Sequence, residues 1–214
     1  MPLLLATTNP HKLDEVRAMA HAAGLEIVGL DAVGRALPEP EENGATFAAN
    51  ARIKAAAYAS ETGWPCLADD SGLEVDALDG APGVHSARYA GIGDTRRERD
   101  EANNTKLLAA LRDVPDGRRT ARFVCAMCLA APDGRVLAET RGVFEGRVAR
   151  EPRGTNGFGY DPLLVVPDLG RTSAELPPAE KNARSHRGAA LRLMFPHLAA
   201  LAASRIPSTS RQQP

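Results

Sequence analysis

At 214 residues, 43% hydrophobic and 25% charged, the chain has the length and balance of an ordinary globular domain, far from disordered or membrane-spanning compositions. A net charge of −1 excludes the basic surplus that binding to long nucleic acid needs, so any nucleotide ligand is expected to be small. No apolar run reaches the ~18 residues of a membrane span, and the start MPLLLATTNP has neither the basic nor the apolar stretch of a signal peptide, so a cytoplasmic protein is expected.

In chain order, LLLAT predicts a strand, and NPHKLDEVRAMAHAAG predicts a helix with Leu13, Val16 and Ala20 on one stripe. Asn9 suits the N-cap, Pro10 the first helical position and Gly24 the stop. LEIVGL then predicts a second strand, which makes a βαβ opening of α/β type. Residues 31–45 are rich in proline, glycine and acid and predict a loop. Thr46 to Thr62 predicts a helix with Phe47, Ala51, Ala55 and Tyr58 on one face, Asn50 and Lys54 on another, and Gly63 as the stop. The stretch from Pro65 to Gly91 predicts a short apolar strand at Cys66 to Ala68, an acidic turn at DDSG and a glycine-rich loop.

NNTKLLAALRDV predicts a short amphipathic helix, and ARFVCAMCLAA, VLAETRGVFEGRVA and PLLVVP predict strands. Cys125 and Cys128 form a CxxC inside one such strand, where residues three apart face opposite sides; buried small hydrophobes are expected rather than a redox or zinc pair. AEKNARSHRGAALRLMFPHLAALAAS predicts a helical stretch with Leu191, Met194, Leu198 and Leu201 facing the core, kinked or split at Pro196. Residues 1–204 are expected to form one domain and 205–214 a disordered tail.

Five segments carry candidate chemistry. TTNPHK gathers hydroxyls, an amide and an ammonium at a helix N-terminus, which is either an anion site or a capped helix with a surface lysine. Asp69 and Asp70 sit side by side on extended chain, so their side chains diverge, and one can face a cleft while the other braces the turn. Carboxylates suit Mg²⁺, and Glu39, Glu41 and Glu42 either add a ligand or solvate their loop. GTNGFGYDP has the glycines of a dinucleotide fingerprint without its strand and helix; Phe158 and Tyr160 there are either base-stacking aromatics or core, with Asp161 as an adjacent acceptor. Lys181, Ser185, His186 and Arg187 cluster near a helix start, as donors to a ligand or as a solvated face.

In their order along the chain, TTNPHK, ENGATFAANARIKA, LADDSGLEVDALDGAPGVHSARYAG, GTNGFGYDP and AEKNARSHRGAAL resemble the Ham1/RdgB family of inosine/xanthosine triphosphate pyrophosphatases, from about Leu3 to Met194. The resemblance implies an ITPase-like α/β fold, of the Maf/Ham1 type, with two lobes around a long mixed β-sheet, flanking helices and a central cleft. It also implies a homodimer and a Mg²⁺ cofactor. Carried onto this sequence, Thr7, Thr8, Asn9, Pro10, His11, Lys12 and Lys54 correspond to triphosphate contacts. Asp70 corresponds to the proton-accepting carboxylate, Ser71 to a substrate contact, and Glu42 and Asp70 to metal ligands, with Asp69 as a further candidate. Phe158, Gly159, Tyr160, Asp161, Lys181, His186 and Arg187 correspond to nucleoside-binding positions. His11 stands where a small residue is common in the family, and His85 replaces an aromatic before SARY.

The reaction so implied is hydrolysis of ITP, dITP or XTP to the monophosphate and pyrophosphate, clearing them from the nucleotide pool. Donors from Lys181, His186 or Arg187 would satisfy the 6-carbonyl of hypoxanthine or xanthine and oppose the amine of adenine, while Asp161 would accept the N1–H. Nothing in the sequence names the residue that excludes guanine. A Maf-like pyrophosphatase acting on pyrimidine nucleotides is a neighbouring alternative, against which the SHR cluster and the FGYD loop argue. A non-catalytic nucleotide sensor is another, for which the carboxylates would be superfluous.

Overall fold

The computed structural model describes residues 2–203. The expected tail at 205–214 lies outside them.

Six strands form one mixed sheet in the order β2-β1-β3-β4-β5-β6. These are β1 Leu3–Ala6, β2 Ile27–Val28, β3 Cys66–Val75, β4 Thr120–Ala130, β5 Val136–Val148 and β6 Leu164–Val165. β1 runs parallel to both β2 and β3, and the remaining pairs are antiparallel. The βαβ opening is present, with α1 at Pro10–Ala22 as its crossover. Asn9 caps α1 by accepting the His11 N–H, and Pro10 begins the helix. Ala23 closes it, with Gly24 following at φ 73°.

α2 spans Phe47–Thr62 between Thr46, whose hydroxyl accepts the Ala49 N–H, and Gly63 in the left-handed conformation. Its expected stripe of Phe47, Ala51, Ala55 and Tyr58 is buried against Leu4, Ala68, Val124, Ala126 and Cys128 on one face of the sheet. The opposite face packs Leu5, Leu67, Cys125 and Met127 against Val16 and Ala20 of α1 and against Leu191, Met194 and Leu198. Cys125 and Cys128 therefore do face opposite sides. Burial pushes their thiols up to about 12 and about 11, so both are neutral packing groups. A third cluster, including Leu73, Val75, Phe123, Phe144 and Leu164, forms where the long strands reach past α1 and α2.

Three expectations are corrected. DDSG is not a turn: β3 runs straight through it, pairing with β4 from Cys66↔Ala130 to Val75↔Ala121, so both aspartates sit mid-strand. The composition is turn-like, but the ladder and the cations waiting on each face outweigh it. The amphipathic helix α3 spans Arg96–Ala110 and starts well before Asn103, behind a Thr95–Glu98 capping box. The C-terminal helical stretch divides at Ser185 into α4 Pro178–Arg184 and α5 His186–Ala203, and Pro196 lies inside α5 without splitting it. Ser185 is extended, and its hydroxyl accepts the Gly188 N–H, so it ends one helix and caps the next. Pro196 is exposed.

α5 lies directly on β5 because Gly142 has no side chain. A Cβ there would stand 2.1 Å from the His186 carbonyl oxygen and 2.4 Å from the Ala190 nitrogen, both of them backbone atoms that cannot rotate aside. Gly142→Ala is therefore expected to cost about 1–3 kcal/mol in urea unfolding; a change within ~0.5 kcal/mol would show that α5 does not rest on this strand.

Candidate active site

The segments singled out in the sequence converge on one cleft. Its walls include Thr7, Thr8, Asn9 and Lys12 from the start of α1, Glu42 from the following loop and Lys54 from α2. Asp70 and Ser71 come from β3, Phe158 to Asp161 from the loop before β6, and Lys181, His186 and Arg187 from α4 and α5. Pro10 and His11 are not on this wall, although the His11 ring stacks on Phe158 with centroids 5.4 Å apart. His85 is exposed and also lies off the wall.

Strand alternation divides the two aspartates. Asp70 points to the α2 side, where its carboxylate accepts from Asn50 Nδ2 at 3.0 Å and lies 3.7 Å from Lys54 Nζ. Lys54 also meets Glu42 at 2.9 Å, so two carboxylates converge on one ammonium. Burial pushes Asp70 above its ordinary range, against the opposing pull of Lys54, Lys12 and Asn50. Burial alone would lower Lys54, but Asp70, Asp69 and Glu42 outweigh it and keep the ammonium charged.

Asp69 points the other way, fully buried, between Lys12 Nζ at 2.9 Å and Arg187 Nη2 at 3.4 Å. Burial works to raise its pKa, yet Lys12, Arg187 and Lys54 hold it well below the usual carboxylate range. Arg187 reaches on to Ser71 Oγ at 2.9 Å and to Glu15, and Glu15 in turn binds Lys181 at 2.9 Å. Lys181 closes the chain of charges on Asp161 at 2.6 Å. Glu15 escaped sequence reasoning, although it sits three residues beyond Lys12, on the same helix face. It is held below its ordinary value because Arg187 and Lys181 overcome the effect of burial.

At the aromatic end, Tyr160 is core: it is 4% exposed, and its hydroxyl donates to the Ser86 carbonyl at 2.9 Å. Asp161 is buried as well, accepting from Lys181, from the Phe158 N–H at 2.8 Å and from Ser173 at 2.9 Å. Its oxygens therefore brace the loop rather than stand open. Gly157 permits this bracing, since a Cβ there would lie 2.0 Å from the Asp161 carboxylate, and its φ is 78°. Phe158 faces the cleft, with the cations of Lys181, Arg96 and Arg187 at 5.1, 5.2 and 5.7 Å from its ring centroid. His186 stacks on Phe123 at 5.0 Å. Burial first, and then the charges of Arg187 and Lys181, keep its imidazole neutral.

The wall also carries Glu39, one of the three loop acids expected either to add a ligand or to solvate their loop, together with Tyr58, Ser86, Arg88, Arg96 and Phe123, which no motif in the sequence marks as site residues. Arg96 and Asp100 lie in the charged run RRERDEA, which has no apolar stripe to announce a helix. Among the described residues, the buried side-chain atoms without a hydrogen-bond partner are Asp69 Oδ1, Arg96 Nε, Asn104 Oδ1, His186 Nδ1 and Arg187 Nε. All belong to residues in or beside the cleft. Leaving such groups unpaired is costly, and their concentration here points to a polar ligand that would satisfy some of them.

No cluster of three or more His, Cys, Asp or Glu side chains able to hold a metal occurs among the described residues, and none of their helices is long and apolar enough to cross a membrane. The paired oxygens of Glu42 and Asp70 nonetheless fit a hard divalent cation that takes one or two carboxylates and completes its shell with water and phosphate. Lys54 already shows that this spot attracts positive charge.

A model of the Ham1 family matches residues 3–197. The dITP/XTP pyrophosphatase of Exiguobacterium sibiricum is 51% identical over 192 residues, covering 90% of this chain and 94% of its own. That of Nocardia farcinica is 54% identical over 205 residues, covering 94% and 96%. The structure of a HAM1 protein from Coxiella burnetii superposes with a TM-score of 0.82 at 44% identity, covering 94% of this chain and 99% of its own.

His186 makes stability depend on pH in a defined window. In the unfolded chain its imidazole protonates near pH 6.5, whereas in the fold it stays neutral well below that. From about pH 6.5 downward the unfolded state binds the extra proton, so stability falls as pH falls, by at most ~1.4 kcal/mol per unit. Glu15 and Asp69, both held low, act through their carboxylates only at lower pH, as it falls through and below the ordinary 4.5 and 3.8. Urea unfolding of His186→Gln is expected to lose the pH dependence between about 6.5 and 5; an unchanged slope there would mean that the buried imidazole is protonated in the fold.

Proposed function

The chain belongs to the Ham1 family, and from that premise we propose how its cleft works as an enzyme that hydrolyses non-standard purine nucleoside triphosphates, ITP, dITP and XTP, to the monophosphate and pyrophosphate. The observation that carries this reading is the convergence, in one cleft, of a helix N-terminus, an acidic pair and an aromatic loop ringed by cations. In this reading the α1 terminus, with Thr7, Thr8, Asn9 and Lys12, takes the triphosphate, because free N–H groups and the helix dipole favour an anion there. Lys54 offsets charge that develops on the phosphoryl oxygens.

Glu42 and Asp70 would hold Mg²⁺. When bound, the ion supplies positive charge that polarises the phosphoryl group and offsets the negative charge of pyrophosphate. Asp69 is not part of this set, since it faces the other side of β3 and is locked by Lys12 and Arg187. Asp70 orients a water through one carboxylate oxygen and accepts its proton as the water oxygen attacks the α-phosphorus and the α–β phosphoanhydride bond breaks, with pyrophosphate leaving in line. Asn50 and Lys54 hold that carboxylate in place. Transition states of this kind are often loose, so alignment contributes more than base strength. Ser71, anchored by Arg187, contacts the substrate beside Asp70.

The base lies against Phe158 and Gly159, with Tyr160 and Asp161 supporting the loop from behind. Lys181, His186 and Arg187 present donors to the 6-carbonyl; the neutral imidazole of His186 can offer one N–H. Adenine places its amine against these donors and leaves them unpaired. The physiological role in this reading is to clear such nucleotides from the pool. A homodimeric state and a cytoplasmic location belong to the same reading.

A panel of ITP, dITP, XTP, GTP and ATP, followed by released pyrophosphate with and without Mg²⁺, tests it. The three non-standard nucleotides are expected to yield pyrophosphate only with the metal, and ATP to react at least ~100-fold more slowly. Asp70→Asn is expected to lower turnover by about 10²–10⁴. Comparable rates with ATP would refute the donor pocket, and undiminished turnover by the variant would remove Asp70 from the reaction.

A further inference from the structure

Most cations on the cleft wall are already matched by carboxylates. Lys12 is held by Asp69, Lys54 by Glu42 and Asp70, Lys181 by Glu15 and Asp161, and Arg187 by Glu15 and Asp69. Among the described residues, no hydrogen bond or ion pair engages the side chain of Arg88 or Arg96. Arg88 is exposed, whereas Arg96 is half-buried, and its Nε is shut from solvent.

Arg96 is also held beside the aromatic loop by its own helix. Arg96, Asp100 and Asn104 recur every fourth residue along α3 and form one stripe. Asp100 accepts the Gly159 N–H at 2.9 Å, and Asn104 donates to the Gly159 carbonyl at 3.0 Å. The Arg96 guanidinium lies 5.2 Å from the centre of the Phe158 ring. At that distance the guanidinium packs against the ring, and its N–H donors are not taken up by any acceptor among the described residues. Burial works against its positive charge, aided by the nearby charges of Arg99 and Arg187 and only partly offset by Asp100, so an acceptor beside the guanidinium would relieve it.

We propose that Arg96 is a specificity-determining residue that presents N–H donors to the 2-position of the purine. This inference rests on the reading that the loop at Phe158 and Gly159 receives the base. Xanthine has a carbonyl at that position and accepts the hydrogen bond. Hypoxanthine has only C–H there and gains nothing. Guanine has an amine, which meets the guanidinium donor to donor and leaves both unpaired in a confined site. The same side chain therefore favours xanthine and rejects guanine, which the donors at the 6-carbonyl cannot do, because guanine shares that carbonyl with hypoxanthine.

The test compares kcat/KM for XTP, ITP and GTP, read as pyrophosphate release, in the wild type, Arg96→Met and Arg96→Lys. Methionine keeps an apolar stem against Phe158 and removes the donors. The variant is expected to lower the XTP-to-ITP ratio by about tenfold or more, as loss of a charged hydrogen bond implies, and to raise the GTP-to-ITP ratio. Lysine, which keeps a charged donor, is expected to restore part of the XTP preference. Unchanged ratios in Arg96→Met, with an active wild type, would overturn this inference alone. A wild type that releases pyrophosphate from none of the purine nucleotides would instead overturn the functional reading beneath it.

Discussion

Asp69 carries a charge that solvent cannot reach, and its neutralisation by Lys12 from α1 and Arg187 from α5 is the interaction on which the cleft depends. From that carboxylate the charges continue through Arg187 to Glu15, then to Lys181 and Asp161. One end of this chain lies at the helix terminus that caps α1, the other at the loop carrying Phe158. Compared with a packed apolar cluster, such a network adds little net stability. Removing one member, however, strands its partners, at about 3–5 kcal/mol. Its effect is to fix where α1, α5 and the aromatic loop sit relative to β3.

The network also decides which groups remain for a ligand. Because β3 alternates, the residue next to Asp69 emerges on the opposite face, where Asp70, Glu42 and Lys54 form a smaller and more accessible cluster. In the proposed mechanism that second cluster does the chemistry, while the first holds the walls. Binding groups that look like free cations in the sequence, Lys12, Lys181 and Arg187, are in the fold largely spoken for. Among the described residues, the buried atoms still unpaired include those of Arg96, His186 and Arg187, beside Asp69 Oδ1 and Asn104 Oδ1.

Local rules made much of the fold legible. The Asn9 cap, the stop at Gly63 and the buried stripe of α2 follow from neighbours a few residues apart, and they stand where expected. The divergence of Asp69 and Asp70 also followed from strand geometry alone. What stayed hidden depended on partners distant in sequence. DDSG looks like a turn because nothing nearby shows that Lys12 and Arg187 will neutralise a buried aspartate, or that β4 will pair with β3 across it. Ser185 interrupts the helical stretch by capping α5, a signal masked by the stronger expectation at Pro196. Of the site, the segments were readable by resemblance, but not the division of work within them. Asp161 and Tyr160 brace rather than project, and Glu15 and Arg96 carry no motif.

The most direct test compares the stabilities of Asp69→Asn and Asp70→Asn in urea at neutral pH. The account predicts a loss of about 3–5 kcal/mol for Asp69→Asn, whose change leaves Lys12 and Arg187 facing a neutral group. It predicts a change within ~1 kcal/mol, or a gain, for Asp70→Asn, because burial already disfavours that carboxylate's charge and Lys54 keeps Glu42. Equal losses, or the larger loss at Asp70, would contradict the division of the two aspartates on which the mechanism is built.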